Sequence, residues 1–200
     1  MKFDSSPPAD ASVAQGLASL KREGGSVLVV GAASDAQEDV CDRFLAGEGA
    51  RVFVDTDNSV RDDDAEAAEV IERPFTTRSS ASAGGSGATP GITSLAGDLE
   101  AAIRRRAGDA ETPRVCFDSL RPFVDTSDGP TLSSALESIR EAARDTGTVV
   151  HFHLPAMPEA VPRTLFEAVD AVVEVRRRGG TTHQRWRFPD ETDTSEWVEV

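Results

Sequence analysis

Tyrosine is absent from this 200-residue chain, and lysine occurs only at Lys2 and Lys21. Arginine therefore carries nearly all of the positive charge, and the balance is acidic, with 35 Asp and Glu against 21 Lys and Arg. A polyanion needs a basic stripe to bind, so nucleic acid is not expected as a partner. The basic runs are Arg104–Arg105–Arg106, at the end of an expected helix whose dipole they suit, and Arg176–Arg177–Arg178, read as a solvated strand end. Two cysteines, Cys41 and Cys116, form no C-x-x-C pair. In their apolar stretches they read as small core residues of a reducing compartment, not as a disulfide framework. No apolar run approaches the roughly 18 residues of a membrane-spanning helix, so no membrane role is expected. The first residues lack an apolar signal core, and the expected location is cytoplasmic.

A formal net charge of -14 runs along the whole chain, beside 38% hydrophobic residues. Such a surface suits a salt-loaded cytoplasm, where charge repulsion is screened over about 3 Å at 1 M ionic strength. An acidic protein from a GC-rich genome, which also prefers Arg to Lys, is the other reading.

The pattern of elements predicts one domain over 21–200, preceded by a loose arm and a short helix within 1–20, the helix over Val13 to Leu20. Gly24-Gly25 opens into the apolar run Ser26-Val27-Leu28-Val29-Val30, as a strand buried on both faces requires. Ser34 stands three residues before Gln37, a capping-box spacing, and Val40, Cys41, Phe44 and Leu45 share a helical face that Gly47 ends. Strands follow over Arg51 to Asp55, Glu69 to Glu72, Arg114 to Asp118 and Thr148 to Leu154. Helices are expected at Asp62-Asp63-Asp64, from Ile92 through Ile103, from Pro130 to Gly147, and over Pro162 to Val169. Residues 76–91 read as a flexible Ser/Gly/Ala loop. Ala171 to Val175 and Gln184 to Phe188 read as a Gly-Gly hairpin, before an acidic tail over about 189–200. Strands alternating with helices give an α/β fold with a mostly parallel sheet and antiparallel C-terminal edge strands.

In such sheets chemistry gathers at the carboxyl ends of the strands. A phosphate loop reads G-x-x-x-x-G-K-[ST], with backbone N–H groups around the phosphates, a lysine reaching the outer ones and a hydroxyl on Mg²⁺. Here Gly31-Ala32-Ala33-Ser34-Asp35-Ala36-Gln37-Glu38 follows the first strand, with Gln37 at the lysine position and Glu38 at the hydroxyl position. Asp35 and Asp39 add negative charge. Each nearby carboxylate would oppose a phosphate by about 1 kcal/mol even in water, more than a helix dipole reliably returns. Asp118 after Val115-Cys116-Phe117 matches a Mg²⁺-orienting strand end, and Asp55 with Asp57 could hold a general base. Solvated loop acids are the simpler reading of the latter pair.

On these residues, over about 20–190, the chain resembles the RecA/KaiC-like ATPases of archaea, and more narrowly their short degenerate relatives in halophilic archaea. The carriers are Val27-Leu28-Val29-Val30-Gly31, Val115-Cys116-Phe117-Asp118-Ser119-Leu120, and Leu165 to Val175 with the Arg/Gly residues and last strand that follow. The resemblance implies a three-layer RecA-like P-loop core, often oligomeric, with ATP between subunits. The lysine and hydroxyl are gone, and Pro189-Asp190-Glu191 replaces a Lys-x-Arg-Gly-like element. What remains is a vestigial nucleotide site of Gly31, Ser34 and Asp118, with Asp118 and Asp55 as structural survivors. No catalytic residue and no cofactor are expected, ATP with Mg²⁺ being the alternative. The expected role is binding of an unknown protein partner in signalling or regulation, a homo-oligomer being possible. The alternative role is a divergent nucleotide-binding protein or weak ATPase.

Three further features have two readings each. His151 and His153 share a strand face, but two histidines do not complete a zinc site, and no metal is expected. Ser119 has no histidine or lysine at a spacing that would activate it. Trp197 in the tail reads as part of an extra edge strand folding onto the body, or as a docking peptide for a partner's sheet.

Overall fold

A computed structural model describes residues 9–46, 49–56, 68–73, 91–108, 113–188 and 194–200. Along the chain run α1 (Ala9–Glu23), β1 (Gly25–Val30), α2 (Ser34–Leu45), β2 (Arg51–Asp55), β3 (Ala68–Glu72), α3 (Ile92–Arg106) and β4 (Arg114–Phe117). Then come α4 (Arg121–Thr126), α5 (Gly129–Thr146), β5 (Val149–Leu154), a 3-10 turn (Pro158–Ala160), α6 (Arg163–Glu167), β6 (Ala171–Arg178), β7 (Thr181–Arg187) and β8 (Val198–Glu199).

The strands form one eight-stranded sheet in the order β3-β2-β4-β5-β1-β6-β7-β8. Strands β1 to β6 pair in parallel, and β7 and β8 add antiparallel at one edge. The apolar run of β1 suits the centre of this sheet, where Val27, Leu28, Val29 and Val30 are all fully buried. Side chains alternate between two covered faces. One face carries Leu28, Val30, Val52, Val54, Val115, Phe117, Val150 and Phe152 against α3, α5 and α6. The other carries Val27, Val29, Phe53, Cys116 and Val173 against α1 and α2. The result is a three-layer α/β domain.

Local chemistry sets the element ends. The Asp128 carboxylate accepts the Thr131 N–H at 2.9 Å at the start of α5, and Gly147 closes that helix in the left-handed region at φ 69°. Gly179 and Gly180, at φ 61° and 85°, make the two-residue turn between β6 and β7, where both positions need positive φ. Asp170 holds the start of β1 by accepting the Ser26 N–H at 2.8 Å, and pairs with Arg144.

Several boundaries depart from the sequence reading. Helix α1 begins at Ala9, inside the stretch read as a loose arm, because Val13 and Leu20 are buried against the second face. Helix α4 was not expected; its six residues are fixed by Phe123, buried edge-on against Phe117 at 5.8 Å. Both hairpin strands extend to the glycines, three residues further on each side than their apolar content suggests. The capping box fails: α2 starts at Ser34 with Ala33 as its N-cap and no side-chain cap, because Gln37 turns inward. The tail lies on the body. Strand β8 pairs with β7, Ser195 N–H donates to Trp186 O at 2.9 Å, and Val200 N–H donates to Thr182 O at 2.9 Å. The helix at 62–64, the loop over 76–90, Gly47, Asp57 and Pro189-Asp190-Glu191 lie outside the described residues.

Candidate functional site

Gly31 directly follows β1 and is buried. A Cβ placed on it would stand 2.4 Å from the Val175 carbonyl oxygen of β6, so glycine is required there by strand packing alone. Six residues on, Gln37 is only 4% exposed. Its Nε2 donates to Gly31 O at 2.6 Å and to Leu154 O at 3.1 Å. Those two carbonyls end β1 and β5, neighbouring strands whose connections leave on opposite faces of the sheet, which is where such folds open a ligand crevice. Gln37 bridges that opening from inside. The first-turn amides of α2 are also engaged, Ala36 N–H by Asp35 Oδ1 at 2.9 Å and Gln37 N–H by Ala33 O at 3.3 Å. Ser34 is exposed on the same turn.

Asp118 stands two strands from β1, at the end of β4. Its carboxylate accepts Thr56 N–H at 2.6 Å, Thr56 Oγ1–H at 2.7 Å and Ser119 N–H at 2.5 Å. Both oxygens are thus used to tie the end of β2 to the end of β4. Asp55 is buried at the end of β2, where its backbone carbonyl receives Arg73 N–H at 2.8 Å. Ser119 Oγ accepts the Arg121 N–H at 3.2 Å, a turn contact that leads into α4.

The acidic turn of α2 is partly neutralised by the run read as a solvated strand end. Arg177 pairs with Asp35 at 3.0 Å and Asp39 at 3.4 Å, and Thr182 Oγ1–H donates to Asp39 at 2.6 Å. Arg176 lies over the Trp197 ring at 3.8 Å from its centroid, with Arg185 at 4.7 Å. Arg105 and Arg106 bind Glu69 of β3, and Arg104 binds Glu100 one turn back. Charge repulsion at α2 is therefore weaker than the sequence suggests, and Gln37 is the stronger obstacle to phosphate.

Behind Gln37 the structure gathers residues that the sequence reading kept apart. Strand alternation puts Cys116, His151 and His153 on the α2 face, and Cys116 sits directly beside His151 across the β4–β5 pair. Helix α2 supplies Cys41, one turn after Gln37. Cys41 Sγ lies 3.2 Å from Cys116 Sγ and 3.2 Å from His151 Nε2. His153 Nδ1 meets Gln37 Oε1 at 3.1 Å. One donor atom from each of Cys41, Cys116, His151 and His153 lies within 4.8 Å of the others. The histidine pair, for which the sequence shows no further ligand, stands beside both cysteines, which are also packed in the small core cluster of Leu45 and Phe53. No local motif signals this, since the four residues come from α2, β4 and β5. The cues were parity, which puts Cys116 and the two histidines on alternate strand positions, and the shared helical face of Val40, Cys41 and Phe44.

Phe44 stacks on His151 at 5.0 Å between centroids. Hydrogen bonding with the Cys116 thiol holds the Cys41 thiol below its ordinary value, with help from His151 and against the upward push of burial. Burial holds His151 below its ordinary value and favours the neutral ring.

The fold and this edge define a three-layer α/β domain whose strand ends are bridged by its own side chains. Residues 24–175 match the model of DUF7504, a family of unknown function, and the chain belongs to that family. No match to a curated protein was found. Among the described residues, no helix is long and apolar enough to cross a membrane.

Proposed function

We propose that the protein is a RecA/KaiC-like module that has given up nucleotide chemistry and acts by binding another protein, in a signalling or regulatory role. One observation carries this reading: the carboxamide of Gln37, at the position of the phosphate-loop lysine, donates to Gly31 O and Leu154 O across the crevice. A lysine there would reach outward to phosphate; the glutamine closes inward on carbonyls. Asp118 supports it as well, because orienting a Mg²⁺-bound water would require releasing the bonds to Thr56 and Ser119. Glu38 is exposed on the same turn, a carboxylate where a Mg²⁺-binding hydroxyl would stand.

The test is thermal unfolding and ATP hydrolysis in molar KCl with ATP or ADP and Mg²⁺, beside a pull-down from cell extract at the same salt. A bound nucleotide at a hundred times its Kd would add about 2.7 kcal/mol of stability. We expect no shift, no hydrolysis and a saturable protein partner. Hydrolysis that is abolished by Asp118→Ala would overturn the proposal in favour of a divergent ATPase.

A further inference from the structure

We propose that Cys41, Cys116, His151 and His153 form a buried Cys2His2 site for one zinc ion, which staples α2 to the centre of the sheet. These residues are costly where they stand. They lie on a sheet face packed mainly with apolar side chains, beside the buried Gln37, and His151 and His153 are only 1% and 5% exposed. Each has a buried ring nitrogen without a hydrogen-bond partner among the described residues, Nδ1 in His151 and Nε2 in His153. A buried polar atom left unpaired is costly, and an ion at this point would satisfy the one on His153. The chain has two cysteines and three histidines in all. Both cysteines and two of the histidines meet at this one point, although Cys41 and His153 are separated by more than half the length of the chain.

The geometry and the chemistry fit zinc. Zn–S bonds of about 2.3 Å and Zn–N bonds of about 2.0–2.1 Å place tetrahedral ligands roughly 3.3–3.8 Å apart. Cys41 Sγ already stands 3.2 Å from both Cys116 Sγ and His151 Nε2, and no pair of the four donor atoms exceeds 4.8 Å. His153 is already oriented as a ligand, since with its Nδ1–H donated to Gln37 Oε1, its free Nε2 carries the lone pair. Such an outer partner fixes the tautomer of a metal-bound histidine. Coordination through His151 Nε2 leaves its Nδ1 protonated and still without a partner. Two thiolates, two neutral imidazoles and Zn²⁺ sum to zero charge, which suits a buried position, and binding releases the two thiol protons to solvent. Thiolate with imidazole in a tetrahedral set favours zinc over the harder divalent ions. All four positions are filled by protein, so the ion is structural, with no open position for substrate. Cys41, the one half-buried ligand, marks the side from which the ion enters.

The experiment uses the full chain, purified in high KCl under reducing conditions from zinc-supplemented medium. Elemental analysis should find one zinc per chain after dialysis. Replacement by Co²⁺ should give the intense visible bands of a tetrahedral ion and a thiolate-to-cobalt charge-transfer band. Cys41→Ser should lose the metal, while His183→Ala, at the one histidine outside the cluster, should keep it. Gln37→Ala removes the orienting acceptor without touching a ligand and should weaken zinc about 10–100-fold in a chelator competition. Because loss of a ligand can unfold the chain, the cobalt spectrum of the unaltered protein stands as an independent readout of cysteine ligation. Zinc well below one per chain, a weak octahedral cobalt spectrum, or full metal content in Cys41→Ser would each overturn the site. So would a chain that, under the same conditions, is lighter by two hydrogens from a Cys41–Cys116 disulfide. Nucleotide binding, the failure point of the functional proposal, is not read by any of these measurements.

Discussion

A methyl group on Gly31 would be driven into the Val175 carbonyl at 2.4 Å, so Gly31→Ala must spread β1 from β6. We expect a loss of about 1–3 kcal/mol in denaturant unfolding, equal with and without ATP. Asp118→Ala removes three charge-assisted hydrogen bonds, two of them from Thr56 between the ends of β2 and β4 and one from the adjacent Ser119 N–H. Each such bond contributes about 1.5–3 kcal/mol when buried, and Asp118 is half-buried, so a net loss of roughly 2 kcal/mol is expected by the same measurement. A nucleotide-site residue would instead leave stability nearly unchanged and abolish an ATP-dependent shift. At this scale the sequence shows which chemistry is missing but not what replaced it. The loss of lysine is legible at position 37. That the glutamine folds back onto Gly31 O and Leu154 O is not, since Leu154 lies 117 residues away and is brought close only by the β1–β5 pairing. The same holds for Cys116 beside His151, which needs the strand register as well as the residue types.

Between elements, exposed arginines act as ties. Arg105 and Arg106 at the end of α3 bind Glu69 of β3. Partial burial pushes the Glu69 carboxyl up, but the two guanidiniums outweigh it and hold the group below its ordinary value of 4.5. A lowered carboxyl stabilises the fold above the unfolded value and loses that contribution as pH falls through the folded one. The difference in melting temperature between the unaltered chain and Glu69→Gln should therefore be full above about pH 4.5 and vanish in stronger acid. With both arginines largely exposed, about 1 kcal/mol is the expected ceiling. At the other edge, Trp197 is clasped by Arg176 and Arg185. Trp197→Ala should cost about 0.5–1 kcal/mol and speed hydrogen exchange at the amides that tie the tail down, Ser195 and Val200. Strands such as β1 and helices such as α5 were legible because apolar period and caps agree there. Helix α4 was not, because its six residues hold one buried anchor, Phe123, too few to show a period.

For the molecule as a whole, a net charge of -14 is a burden that every compact state must bear. Raising KCl from 0.1 M to 1 M shortens screening from about 10 Å to about 3 Å. That weakens ties such as Arg177 with Asp35, but it relieves the larger unpaired excess, so the melting temperature should rise across the series. The sheet order has a separate consequence for how the chain is made. Strand β1 is nearly first in the sequence yet pairs with β5 and β6, beginning at Val149 and Ala171. At a synthesis rate of about 5–20 residues per second, roughly 7–30 s separate the appearance of Gly25 from that of Ala171. Until Val149 emerges, most of that interval, the most apolar strand is outside the ribosome without either neighbour, and until Ala171 it has only β5. The nascent chain therefore needs α1, or a chaperone, to cover β1 until its neighbours emerge, and its worst exposure to aggregation comes before the fold is finished.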